Sequence, residues 1–147
     1  MLSKKSTYAI KALVALAKYN ESGWPMRISV LSEKEKIPKK FLENILLELR
    51  HKGILGSKMG VNGGYFLLKE PREIIVSDVL NITEGPIALL PCASSDPYAR
   101  CEECPGESFC SLRNMALMVR NSNLEILGKT SIADLVLFEK NAKQNSK

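Results

Sequence analysis

Four cysteines, Cys92, Cys101, Cys104 and Cys110, fall within nineteen residues, and the chain has no others. In a reducing compartment such clustering points to metal binding or redox chemistry rather than to structural disulfides. Cys101 and Cys104 form a CxxC pair, which sets two sulfurs near enough to share one metal centre. Redox dithiols use the same spacing. Four thiolates are a complete ligand set for a [2Fe–2S] cluster, a [4Fe–4S] cluster or a tetrahedral zinc ion, and their spacing does not separate these. Glu102, Glu103 and Glu107 lie among them and are read as solvating the loop. His51, the single histidine, sits at the end of a predicted helix and is given no ligand role. The chain offers no convincing nucleophile–base pair for hydrolysis, and the CxxC lacks the βαβ surroundings of a thioredoxin-like site. A small CxxC redox protein would leave the basic half unexplained, so no enzyme activity is expected.

The second source of chemistry is charge. Lys and Arg total 21 against 16 Asp and Glu, a net +5 over 147 residues. Residues 1–70 hold thirteen basic and six acidic side chains, a net +7, whereas residues 71–147 hold eight and ten, a net −2. A positive excess confined to the first half suits contact with a polyanion such as double-stranded DNA, although charge alone equally describes a solvated basic surface. With 45% hydrophobic and 25% charged residues, the composition excludes a wholly disordered chain. No window approaches the roughly 20 apolar residues of a membrane span. Lys4 and Lys5 ahead of Ala15-Leu16-Ala17 imitate a secretion signal. Lys11 interrupts that run and leaves only six apolar residues from Ala12 to Ala17, too few for a signal core. A soluble, cytoplasmic protein without a membrane partner is expected.

These groups need elements to hold them. Ile10, Leu13, Val14 and Ala17 follow the i, i+3, i+4, i+7 rule and predict an amphipathic helix between Ser6 and Tyr19. The turn-forming run from Asn20 through Glu21, Ser22, Gly23 and Trp24 to Pro25 ends it. Ser29 suits the N-cap of a second helix running to about Lys36, with Val30 and Leu31 inward. Pro38 suits the first turn of a third helix, where its missing N–H would be unpaired anyway. That helix buries Leu42, Ile45, Leu46 and Leu49, and Gly53 closes it. Only a tight turn near Ile37 separates the second and third helices, as a helix-turn-helix requires. Extended runs Ile54–Lys58 and Tyr65–Leu68 follow, joined by Met59-Gly60-Val61-Asn62-Gly63-Gly64, whose glycines permit positive φ. Three helices and then a β-hairpin is the winged helix-turn-helix order. The expected fold is therefore mainly α with a small β-hairpin wing.

Beyond the wing, Glu70-Pro71 marks a connector, and Ser77 is expected to cap a helix holding Val79, Leu80 and Ile82. The cysteine segment, rich in Ser, Asp, Pro, Glu and Gly, reads as a loop. A long helix from Ser111 to about Leu127 carries Leu112, Met115, Ala116 and Val119, but also Leu117, Met118, Leu124 and Ile126. Apolar residues around most of its circumference demand burial on more than one side. In so small a chain the second surface is expected to be another copy, giving a homodimer. A helix wholly enclosed within one chain is the alternative. Gly128 stops this helix, and Ser131 with Asp134 forms a capping-box pattern for a last short helix through Phe138. A disordered polar tail is expected over residues 141–147. The organisation is thus a DNA-binding unit over 1–70, a connecting helix over 71–90, a cysteine loop over 91–110 and dimerisation helices over 111–140.

In a helix-turn-helix the second helix of the pair enters the major groove. Lys39, Lys40, Glu43 and Asn44 lie on its outward N-terminal part. Lysine can meet guanine acceptors or phosphates, glutamate the cytosine amino group, and asparagine adenine. Glu43 could instead pair with Lys39 or Lys40 on a solvated face. Lys4, Lys5, Ser29 and Lys58 suit phosphates, which position without reading sequence. Asn62 and the wing glycines could approach the minor groove, although turn formation alone would explain them.

The run Leu49-Arg50-His51-Lys52-Gly53-Ile54-Leu55, followed by Gly60-Val61-Asn62-Gly63-Gly64-Tyr65, resembles the wing signature of the IscR/NsrR/CymR-type (Rrf family) transcriptional regulators. Phe41-Leu42-Glu43-Asn44-Ile45-Leu46 resembles their recognition helix, Tyr8-Ala9 their first helix, and Thr130-Ser131-Ile132-Ala133-Asp134-Leu135 their C-terminal dimerisation signature. The likeness runs from about Met1 to Phe138. It implies a dimeric winged-helix repressor or activator, many of which hold an iron–sulfur cluster in a loop before the dimerisation helix. Cluster-binding relatives usually carry three cysteines there, the last two separated by five residues. Cys104 and Cys110 match that spacing, and Cys92 takes the first position. The resemblance favours an iron–sulfur cluster, [2Fe–2S] ahead of [4Fe–4S], over zinc, and sensing of redox, nitric oxide or iron status. Two departures stand out. The gap of eleven residues between Cys92 and Cys104 is long and Cys101 is additional, while Met59 stands where an arginine often precedes the wing glycine.

Overall fold

The computed structural model describes residues 2–20 and 23–145. Helix α1 (Lys4–Tyr19) starts where the Ser3 hydroxyl accepts the Ser6 backbone N–H at 3.2 Å, satisfying a donor that has no partner within the helix. Ala9, Ala12, Leu13, Ala15 and Leu16 on α1 are buried. Against this helix pack α2 (Ile28–Glu35), α3 (Lys39–His51), α4 (Val76–Thr83) and α6 (Ile132–Asn145). The stripe Leu42, Ile45, Leu46 and Leu49 is at most 1% exposed. Each such side chain contributes about 1.5–3 kcal/mol by leaving water, which fixes the facing of α3 on the domain. Glu21 and Ser22 of the predicted turn lie outside the described residues.

The helix-turn-helix corner is tight. Lys36 closes α2 in the left-handed region (φ 55), and the buried Ile37 donates its N–H to the Ser32 carbonyl at 3.0 Å. Pro38 then caps α3 rather than entering its first turn. Helix α2 begins one residue before Ser29, with Arg27 at its cap, so Ser29 is an exposed helical residue and not the N-cap. The reason is upstream. Met26 is held in an extended bridge to Tyr65, and the chain can turn helical only after it. This phase turns Ile28 and Leu31 to the core and leaves Val30 46% exposed, contrary to the inward placement expected for Val30.

Strands β1 (Leu55–Lys58) and β2 (Gly64–Leu67) form an antiparallel hairpin with Leu55 opposite Leu67 and Lys58 opposite Gly64. Met26 and Tyr65 exchange both backbone hydrogen bonds, at 2.9 and 2.8 Å, which pins the wing to the segment ahead of α2. Gly64 (φ +151) lies so close to this segment that an added Cβ would stand 2.3 Å from the Met26 carbonyl oxygen.

After a 3-10 turn over Pro71–Glu73, Ile75 bridges Ser131. The Val76 N–H donates to Thr130 O, and the Ile132 N–H to Ile74 O, both at 2.9 Å. This pairing, not a side-chain cap at Ser77, sets the start of α4; Ser77 is a buried residue inside that helix. The Ser131–Asp134 box opens α6 as expected: the Ser131 N–H donates to the Asp134 carboxylate at 2.8 Å, and the Asp134 N–H to Ser131 Oγ at 3.2 Å. Helix α6 packs along α1 with a Lys18–Glu139 ion pair at 2.6 Å. It continues to Asn145, so residues 141–145 are helical and not a disordered tail, while Ser146 and Lys147 lie outside the described residues. Helix α5 (Ser111–Leu127) is different. Only Ala116 on it is buried, and it rests on α4 and on the turn Pro91–Ala93. Full enclosure of α5 within one chain is therefore ruled out. Among the described residues no helix is long and apolar enough to cross a membrane.

Candidate nucleic-acid interface and thiol site

Lys39, Lys40, Glu43 and Asn44 are all exposed on the first two turns of α3. Because Leu42, Ile45 and Leu46 hold the opposite face in the core, these four side chains are free to meet base edges. Among the described residues Glu43 forms no ion pair with Lys39 or Lys40. Phe41 lies edge-on to the Tyr8 ring, with centroids 5.7 Å apart, and links α3 to α1. Lys4 is exposed, but Lys5 is bound to Glu48 at 2.7 Å. That ion pair ties α1 to α3, and the Lys5 side chain remains partly exposed.

Ser29 and Lys58 line one groove between the start of α2 and the wing, and Asn62 is exposed in the hairpin turn. Two arginines absent from the expected set brace this region. Arg27 donates through its Nη2 to the carbonyl of Val61, and Arg50 Nη1 donates to Ser57 Oγ at 3.0 Å. Each sits at an element boundary, where sequence periodicity carries no side-chain direction. The signal available in the sequence was the cluster of glycines demanding a close backbone approach.

All four cysteines are free and line a single cavity of about 440 Å³. Cys92 is buried in the turn Pro91–Ala93, Cys110 is the N-cap of α5, and the exposed Cys101 and half-buried Cys104 lie on the loop between them. The Cys104 N–H donates to the Cys101 carbonyl at 3.2 Å, a turn that keeps the CxxC compact. Leu90, Pro91, Ala99, Pro105 and Leu112 give the cavity apolar walls, Arg100 and Arg113 give it cationic ones, and Glu103 adds a carboxylate. Arg113 is central. Its backbone N–H donates to Cys110 Sγ at 3.4 Å and its Nε to the Cys92 carbonyl at 3.1 Å, and its guanidinium lies 3.9 Å from Glu107. In kind, four thiols beside two guanidiniums fit an anionic thiolate-held centre. Among the described residues, however, no three ligating side chains converge closely enough to hold one metal ion. A common ligand shell would need the four thiols to come closer together.

A basic helix-turn-helix with a paired wing, followed by a weakly packed long helix, defines a winged-helix DNA-binding transcriptional regulator. The Rrf2 family profile, described as an iron-dependent transcriptional regulator, matches residues 2–137, and the chain belongs to this family. It is 36% identical over 138 residues to an rrf2-like HTH-type transcriptional regulator of Rhodobacter capsulatus, covering 92% of each chain. Among solved structures it is similar to CymR (YrzC), titled the global cysteine regulator of B. subtilis, at TM-score 0.76 and 25% identity over 94% of this chain and 97% of that one. It is equally similar to T. potens IscR, at TM-score 0.76 and 25% identity over 97% and 90%. These relatives carry the names of transcriptional regulators, and this chain is a transcriptional regulator of the Rrf2 family.

Proposed function

We propose that the protein is a homodimeric operator-binding regulator whose DNA affinity depends on an iron–sulfur cluster held by Cys92, Cys101, Cys104 and Cys110. The observation that carries this reading is the gathering of all four thiols around one cavity at the N-terminus of α5. Such a cluster would supply a redox centre, a chemistry through which redox, nitric oxide or iron status could be sensed. The residues of the chain do the rest. Cys110 caps α5, Cys92 sits in the turn against which α5 packs, and Arg113 ties the two. Drawing in the loop therefore acts on the first turn of α5.

Dimerisation is supported by the apolar side chains that α5 leaves exposed in one chain, Leu112, Met115, Met118 and Ile126. A second copy seated there relates the two α3 helices by a twofold axis and sets their spacing along the duplex. A change at the thiols then alters DNA affinity only through its different stability in the two dimer arrangements. Lys39, Lys40, Glu43 and Asn44 read bases in this scheme, and Lys4, Lys5, Ser29 and Lys58 hold phosphates. Residues 1–70 are the reading unit, 71–90 the connector, 91–110 the sensing loop and 111–140 the dimer contact.

Anaerobic purification followed by visible absorption and by iron and zinc analysis tests the sensing half. A coloured protein with iron and inorganic sulfide supports it. A colourless protein loaded with zinc replaces the cluster with a structural metal and leaves the regulator intact. The second reading, a thiol-redox switch without metal, rests on the exposed Cys101 beside Cys104, and it predicts a disulfide on mild oxidation of metal-free protein.

A further inference from the structure

The tip of the wing carries two large apolar side chains that nothing in the chain covers. Met59 is 92% and Val61 82% exposed, on either side of Gly60 (φ +104), the first residue of the turn over residues 60–63. Exposed apolar residues are ordinary when scattered, but here two of them share the apex of a hairpin in a DNA-binding fold. The apex is also held rigid. Arg27 donates to the Val61 carbonyl, the Gly63 N–H donates to the Gly60 carbonyl at 3.0 Å, and an added Cβ on Gly63 would meet the Lys58 carbonyl oxygen at 2.2 Å. The Arg27 and Lys58 cations lie in the groove just behind it.

We infer that Met59 and Val61 form an apolar wedge that enters the minor groove and partly unstacks a base step, so that this regulator kinks its operator. A stiff apolar apex flanked by cations has the make-up of such a wedge. The cations draw in the phosphates on either side, and burying the Met59 and Val61 side chains between bases offsets the cost of unstacking. The preferred step is pyrimidine–purine, TA or CA, because these open most easily. Specificity then arises at a position where no hydrogen bond reads a base. The inference rests on the proposed docking of α3 in the major groove, which places the wing beside the adjacent minor groove.

The test uses a duplex selected by the full-length protein from a random pool and labelled at both ends. Fluorescence energy transfer between the ends reports bending, and titration over a range of salt concentrations reports affinity. The wild type is expected to bend the duplex by roughly 20–90°. The double variant M59S/V61S is expected to bind about tenfold more weakly, with a smaller bend and an unchanged salt slope. Moving the TA or CA step away from the wing should weaken the wild type and leave the double variant unaffected. Met59→Arg should recover affinity through charge, with a steeper salt slope and no recovery of the bend. A straight wild-type complex, or a double variant that bends and binds as the wild type does, overturns the wedge. Lys40→Ala separates this outcome from the docking of α3. Weaker binding by Lys40→Ala with no effect of the double variant removes the wedge alone. Unchanged binding by Lys40→Ala removes the docking on which the wedge depends.

Discussion

Arg113 Nε donates a 3.1 Å hydrogen bond to the carbonyl oxygen of Cys92, joining the first turn of α5 to the buried end of the cysteine segment across twenty-one positions. The neighbouring Arg113 N–H meets the Cys110 sulfur. One residue therefore touches the backbone of Cys92 and the sulfur of Cys110, and it sits in the first turn of α5. Arg113→Met keeps the aliphatic stem and removes the guanidinium. A bond from a charged donor is worth about 1.5–3 kcal/mol, so if the thiols hold the proposed cluster, the variant should lose its visible absorbance to a chelator faster than the wild type, roughly tenfold or more. Loss rates followed by absorbance check this.

The wing depends on the absence of a side chain at Gly64. Gly64→Ala forces a Cβ against the Met26 carbonyl and a residue into a positive φ that side chains resist. The backbone strain alone costs about 1–3 kcal/mol. Urea denaturation should show the loss, and the Met26–Tyr65 amides should exchange with solvent faster than in the wild type.

Acid should loosen the anchoring of α6 and of the N-terminus. The Ser131 hydroxyl, with its N–H, holds the Asp134 carboxyl below the usual carboxylate range, and the Ser6 hydroxyl with the Ser3 N–H does the same for Glu84. Both folded values lie below the unfolded ones, so these contacts give their full stabilisation above the ordinary carboxylate range. The stabilisation is lost as pH falls through the depressed values. Asp134→Asn and Glu84→Gln should each flatten the acid limb of a pH-dependent denaturation series. An acid limb of unchanged slope in both variants contradicts the assignment.

The dimer contact is open to a charge. Met118 is 72% exposed in one chain, so Met118→Glu should alter the stability of an isolated protomer by no more than about 0.5 kcal/mol. If copies meet along α5, the same change should halve the sedimenting mass and weaken operator binding. A wild type that sediments as a monomer at micromolar concentration contradicts the proposed assembly.

Much of this architecture is legible in the residues. The periodic leucines of α3, the Ser131–Asp134 box and the stop at Gly128 all act locally, and the structure follows them. The misplaced helix starts share another cause. Ser29 and Ser77 have the chemistry of caps, but Met26 pairing with Tyr65 and Ile75 pairing with Ser131 set where α2 and α4 begin. Partners so distant in sequence leave no local signal. The polar residues after Phe138 carry no apolar stripe, yet α6 continues through them to Asn145 because the helix is already nucleated and propagation is easy. For the thiols, spacing reveals the cluster of cysteines. The role of Arg113 needs the fold, since it joins Cys92 and Cys110 only once α5 is placed.

The most direct measurement compares binding to a selected duplex and to random duplex at one salt concentration, with the protein first carrying its thiol-bound centre and then stripped of it. A clear preference for the selected duplex is predicted in at least one state, with the two states differing by about 5- to 150-fold in affinity. Equal affinity for both duplexes in both states would contradict the reading of α3 and of the cysteine loop together.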